Sequence, residues 1–164
     1  MQVMKTQLIK DILVSEPDGR LVTICGWVRT KRDSKNLCFI QVNDGSCFAT
    51  IQLTYDRENA NPNNENIENT LPNVTTGASI KATGKLIPSP ASGQAVEVAL
   101  ETLEVLGVSP SDYPLQKKGH TVEFLRENSH LRARTNMFGA VARMRSEMAF
   151  AVHSFFQEKG FFYF

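Results

Sequence analysis

Phe39, Gln52 and Glu97 are three side chains whose types could do chemistry together, and Arg29, Lys31 and Arg32 lie just before the first of them. An aromatic ring stacks on a nucleobase, an amide both donates and accepts, a carboxylate only accepts, and Arg or Lys holds phosphate. Such a set can bind an unpaired nucleotide: the ring takes its face, Gln and Glu its Watson–Crick edge, the cations its backbone. Each residue also has an ordinary explanation. An outward Phe is equally compatible with cover by an N-terminal helix or a second domain, and Gln52 and Glu97 would each be unremarkable on a solvated strand. The run 29–35, with Arg29, Lys31, Arg32 and Lys35 against Asp33, fits a solvated turn as well as a phosphate site.

Alternation of apolar and polar residues sets the elements that must position these groups. Cys38, Ile40 and Val42 share one face of a strand over 36–43, so Leu37, Phe39 and Gln41 point the other way. A strand over 20–30 places Val22, Ile24, Gly26 and Val28 inside and Thr23, Cys25, Trp27 and Arg29 outside. A third, 47–54, turns Ala49, Ile51 and Leu53 to one side and Phe48, Thr50 and Gln52 to the other. Strands over 78–87 and 94–105 follow, the last alternating Val96, Val98 and Leu100 with Ala95, Glu97, Ala99 and Glu101. Gln52 and Glu97 thus fall on the face expected for Phe39. Asn43-Asp44-Gly45 marks a tight turn, and 55–73, Asn-rich with Pro62 and Pro72, reads as an excursion with a short helix.

Before the strands, 5–14 has the spacing of a short amphipathic helix. The pattern is mainly β, and five strands with an insertion after the third fit a five-stranded Greek-key barrel of the oligonucleotide-binding type (OB-fold), although other small barrels share the alternation. Residues 1–106 form this domain, and 107–119, with Pro110 and Pro114, form a hinge. Residues 120–164 then begin a second, incomplete domain, with a short helix over 120–131 and a long one over 136–159.

The bulk numbers narrow the function. The chain has 164 residues and a net charge of +1, so there is no global basic field and a nucleic-acid site must be local. Residues 1–105 carry 10 Lys and Arg against 12 Asp and Glu, while 106–164 carry 8 against 5. The three cysteines, Cys25, Cys38 and Cys47, form no CxxC pair and fit a reducing compartment. No apolar run is long enough to span a bilayer, and the N-terminus lacks a secretory pattern. His120, His130 and His153 show no metal-ligand spacing, and no Ser/His/acid set or phosphate-cradling glycine loop occurs, so neither catalytic nor metal residues are expected here.

The stretch Cys25-Gly26-Trp27-Val28-Arg29-Thr30-Lys31-Arg32-Asp33-Ser34-Lys35 resembles the first strand and turn of the anticodon-binding barrel in class IIb aminoacyl-tRNA synthetases, which serve Asp, Asn and Lys. Asp44–Phe48, Tyr113–Lys118 and Phe124–Asn136 resemble the asparagine-specific branch in particular. Phe155-Phe156-Gln157-Glu158-Lys159-Gly160-Phe161 is similar to the opening of motif 1, a dimer-forming element of class II catalytic domains. The resemblance covers the chain except the excursion at 56–70. It implies that Phe39 stacks an anticodon base, that Gln52 and Glu97 read anticodon edges, and that the parent is a cytoplasmic, homodimeric ligase joining asparagine to its tRNA with ATP and Mg²⁺. The ATP-holding motifs would lie beyond Phe164, so these 164 residues are expected to be inactive alone and to bind no cofactor. The aspartate-specific relative, a free-standing RNA-binding module, and an interaction protein dimerising through 136–159 are the alternatives.

Overall fold

The computed structural model describes residues 6–59, 63–91 and 93–164. Helix α1 (Ile9–Leu13) is followed by strands β1 (Leu21–Asp33), β2 (Leu37–Asn43) and β3 (Ile51–Asp56), helix α2 (Asn64–Thr70), and strands β4 (Ser79–Pro88) and β5 (Val96–Gly107). The strands close into a barrel in the order β1-β2-β3-β5-β4, with β4 returning to β1. All pairings are antiparallel except β3–β5, which is parallel and carries only two register pairs, Leu53↔Val98 and Thr54↔Ala99. This is the five-stranded oligonucleotide-binding barrel expected from the alternation.

The interior is aliphatic: Val22, Ile24, Val28, Ile40, Val42, Ile51, Leu53, Ile80, Leu86 and Val98 are all fully buried. Cys38 is buried among them, and that burial pushes its thiol up to about 11, so it packs as a small apolar group. α1 closes one end with Ile9 and Ile12. Leu8 supplies no side-chain cap to this helix. The turn after β2 does so instead: Ile9 N donates to Asp44 Oδ2 at 2.8 Å and Lys10 N to Ser46 Oγ at 3.1 Å.

Several boundaries differ from the alternation, each for a local reason. α1 is one turn, shorter than 5–14, whose first residue lies outside the described residues. β3 starts at Ile51, so Cys47 and Phe48 belong to the preceding loop, which Asn43 Nδ2 holds by donating to Cys47 O (3.0 Å) and Ala49 O (2.7 Å). Thr23, expected outside, is buried because its hydroxyl pairs with that of Thr83 at 3.0 Å. β1 runs on to Asp33 through a β-bulge between Val28 and Thr30. Gly84 marks another irregularity, between β4 and β5; a Cβ there would come 2.1 Å from Ala99 O. The excursion, apart from 60–62, which lie outside the described residues, holds α2 and a 3₁₀ turn at Leu71–Asn73, anchored by Ile67 and Leu71.

The chain divides into two compact units, the first ending at Lys118 and the second comprising Gly119–Phe164. Residues 108–118 therefore fall in the barrel unit. In the second, α3 (Val122–Glu127) is capped by Thr121 Oγ1, which accepts from Phe124 N at 3.2 Å. A 3₁₀ turn at Arg132–Arg134 leads into α4 (Asn136–Glu158), and the Arg132 guanidinium sits 5.0 Å from the Phe138 ring centre. Along α4 only Gly139 is buried, while Met144, Met148, Phe150 and Phe155 are exposed. No helix among the described residues is long and apolar enough to cross a membrane.

Candidate nucleic-acid interface

Two rows of side chains cross the outer face of the barrel. The β1–β2 register sets Arg32 opposite Phe39 and Thr30 opposite Gln41. The β2–β3 register continues these with Thr54 and Gln52, and the parallel β3–β5 step continues the first with Ala99. The first row is therefore Arg32, Phe39, Thr54, Ala99. The second is Thr30, Gln41, Gln52, completed by Glu97, since Gln52 Nε2 donates to Glu97 Oε2 at 3.0 Å. Thr30 Oγ1 donates to Gln41 Oε1 at 3.0 Å, so the second row is hydrogen-bonded at both ends.

Phe39 is half-buried on this face, with the Arg32 guanidinium 5.6 Å from its ring centre. That separation is within cation–π range and leaves one cation beside the ring. Gln52 and Glu97 lie on the outward side of their strands, yet they are only 7% and 4% exposed. The β4–β5 turn supplies part of the cover: Ser89 Oγ (3.4 Å) and Gln94 Nε2 (3.3 Å) also donate to Glu97 Oε2. All three described hydrogen bonds to this carboxylate thus fall on one oxygen, and all three donors are neutral. Sequence alternation gave the correct face for the pair but not its depth. Ser89, Gln94, Gln41 and Thr30 escaped it altogether, because hydroxyls and amides in turns and strand edges carry no distinguishing pattern. Thr54 Oγ1 is buried beside Phe39 without a partner.

The basic residues separate. At the bulge Arg29 is the extra residue of β1, unmatched in the β1–β2 register. The bulge resets the alternation, so Arg32 joins the Phe39 row while Lys31 pairs with Ile40 on the opposite phase. Lys31 Nζ donates to Leu71 O at 2.8 Å, which satisfies a carbonyl of the 3₁₀ turn after α2. The run of positive charge had grouped Arg29, Lys31 and Arg32 as phosphate ligands; the bulge sets Arg32 beside the ring and turns Lys31 to the opposite phase. Among the described residues no three His, Cys, Asp or Glu converge to hold a metal ion.

What this arrangement can do is bind rather than react: one ring, one adjacent guanidinium, and an amide–carboxylate pair with donor and acceptor capacity toward a base edge. Residues 22–106, more than half of the chain, match the family model described as an OB-fold nucleic acid binding domain. Over 157 residues the chain is 57% identical to the asparagine–tRNA ligase of Treponema denticola, spanning 95% of this chain and 33% of that protein. It is 49% identical over 163 residues to the asparagine–tRNA ligase of Phocaeicola vulgatus, spanning 99% of this chain and 33% of that one. The chain thus covers about a third of the length of these curated relatives. The asparaginyl-tRNA synthetase of Pyrococcus horikoshii complexed with asparaginyl-adenylate superposes with a TM-score of 0.79 at 20% identity, over 97% of this chain and 36% of that one, a likeness of fold. With the barrel, the two outward rows and the matched span in agreement, this chain belongs to the OB-fold nucleic acid binding domain family.

Proposed function

We propose that the barrel binds the anticodon loop of a tRNA, as the anticodon-recognition domain of a cytoplasmic asparagine–tRNA ligase. The observation that carries this is the second row ending in Gln52 and Glu97 beside the half-buried Phe39 and its Arg32 neighbour. A nucleobase lying on Phe39 would present its edge toward that pair. Glu97 accepts only, so it selects a base edge offering N–H donors; Gln52 accepts and donates and tolerates a mixed edge. Arg32 and Arg29 take phosphate. Lys31, bonded to Leu71 O, is assigned to holding the excursion.

The high identity to two asparagine–tRNA ligases supports asparagine as the amino acid, and the asparaginyl-adenylate bound by the Pyrococcus horikoshii enzyme fits activation by ATP, with Mg²⁺ as the ion implied by the class IIb resemblance. The barrel contributes no step of that chemistry; its part is to choose the tRNA. The exposed aromatic and Met side chains of α4 support a homodimeric parent in which they become buried.

Titration of a labelled RNA hairpin bearing the tRNA(Asn) anticodon loop, followed by fluorescence anisotropy at fixed salt, tests the proposal. Phe39→Ala is expected to weaken binding by about 1–3 kcal/mol, the value of one base–aromatic stack. An unchanged Kd would remove Phe39 from the interface, and with it the assignment of this face.

A further inference from the structure

Away from the two rows, a dense set of polar contacts surrounds Arg57, the residue after β3. Its Nε and Nη2 donate to the two oxygens of Glu68 on α2, at 2.6 and 3.3 Å. Its Nη1 donates to Asp33 Oδ1 at 2.9 Å and to Ser34 O at 2.5 Å. Its backbone N–H donates to Asn36 O at 2.9 Å, and its guanidinium lies 5.7 Å from the Tyr55 ring centre. One side chain therefore ties the β1–β2 turn, residues 33–36, to a helix that is itself anchored by the fully buried Ile67.

Two points decide what this cluster does. First, the guanidinium is matched by two carboxylates and a carbonyl, so its fork is occupied and its charge is compensated within the protein. It is a poor phosphate ligand although it is a cation near the proposed site. Second, the turn it holds follows Arg32, beside the Phe39 ring, and carries the exposed Lys35. In oligonucleotide-binding barrels this first connection is one of the loops that meet the ligand. A loop ordered beforehand loses less conformational entropy on binding.

We propose that Arg57 is a positioning residue for RNA binding: gripping Glu68 on one side and Asp33 and Ser34 on the other, it fixes the 33–36 turn so that Arg32 and Lys35 meet the phosphates beside Phe39. The inference rests on the nucleic-acid role of that face and adds a residue that does not itself touch the RNA.

The sign of one substitution separates this from simple electrostatics. Glu68→Ala removes a negative charge, so Coulomb attraction alone makes RNA binding tighter, whereas loss of the clamp makes it weaker, by about tenfold. Arg57→Lys, which keeps the charge but cannot span three acceptors, weakens binding in the same direction and serves if Glu68→Ala does not fold. Circular dichroism and thermal unfolding establish that each variant is folded at the assay temperature. The probe is the labelled tRNA(Asn) anticodon hairpin. Combining Glu68→Ala with Arg32→Ala should cost less than the two separate losses together, because a displaced turn has already misplaced Arg32. Equal or tighter binding by folded Glu68→Ala, or strictly additive losses, overturns the clamp while leaving the site intact. Failure of the unaltered chain to bind the hairpin overturns the site and the clamp together.

Discussion

Asp44→Ala should loosen the end of the barrel that α1 closes. The Asp44 carboxylate accepts from Ile9 N (2.8 Å), Ser46 N (2.9 Å) and Ser46 Oγ (2.6 Å). Leu8 offers α1 no alternative cap, so the substitution leaves a helix-terminal N–H without its acceptor. Removing an N-cap acceptor costs about 0.5–2 kcal/mol, and hydrogen bonds to a charged group contribute about 1.5–3 kcal/mol each. Because the carboxylate is half-buried and water can replace part of this, a loss of about 2 kcal/mol is expected. Full undocking of α1 would expose Ile9 and Ile12 at roughly 1.5–3 kcal/mol each, which sets a ceiling of about 6 kcal/mol. Urea unfolding should show the midpoint falling by about 1 M for a slope near 2 kcal/mol/M. Hydrogen exchange should show faster exchange at the Ile9 amide. An unchanged midpoint together with an unchanged Ile9 protection factor would refute the capping assignment.

The same carboxylate makes a pH prediction with a defined sign. Burial alone would raise the Asp44 pKa, but the hydrogen bonds from Ser46 and from the Ile9 N–H outweigh it and hold the carboxyl below its ordinary value. A group whose folded pKa is depressed stabilises the fold above its unfolded pKa and loses that contribution as pH falls through the folded value. Unfolding free energy should therefore decline below about pH 4, and Asp44→Asn should flatten part of that decline.

Two further outcomes follow from the barrel. Glu97→Gln should weaken binding of the anticodon hairpin roughly 10- to 100-fold while changing stability by less than about 1 kcal/mol, since the donors around Glu97 are neutral and can bond an amide oxygen. Marked destabilisation with unaltered affinity would instead make it a structural residue. Gly84→Ala should lower the melting temperature, because its Cβ would meet the backbone oxygen Ala99 O at 2.1 Å and a strand must move; a cost of about 1–3 kcal/mol or more is expected, and an unchanged melting temperature would count against the strand contact.

The alternation of Cys38, Ile40 and Val42 against Phe39 and Gln41 made β2 legible in the sequence, and β5 likewise, because period-2 burial is a local property. The side of the barrel on which Gln52 and Glu97 lie was legible for the same reason. Their near-complete burial was not, since part of the cover over Glu97 comes from Ser89 and Gln94 in the β4–β5 turn, contacts made only in three dimensions. The phase change at Arg29 was also hidden: a bulge depends on the partner strand, and nothing in Val28-Arg29-Thr30 announces it. It moved Lys31 off the face that Arg32 occupies. Arg57 was invisible as a functional candidate because its role depends on Glu68, Asp33 and Ser34, which meet only in three dimensions.

The β3–β5 seam joins the cylinder by the shortest run of backbone pairing, and the Gln52–Glu97 contact lies one step before its first pair. A nucleotide gripping both side chains would therefore fasten the wall along its thinnest stitching. Occupancy and closure would then share one free energy, and each would suppress the opening fluctuations that work against the other. In such a domain, recognising the correct partner and keeping the cylinder shut become the same physical event.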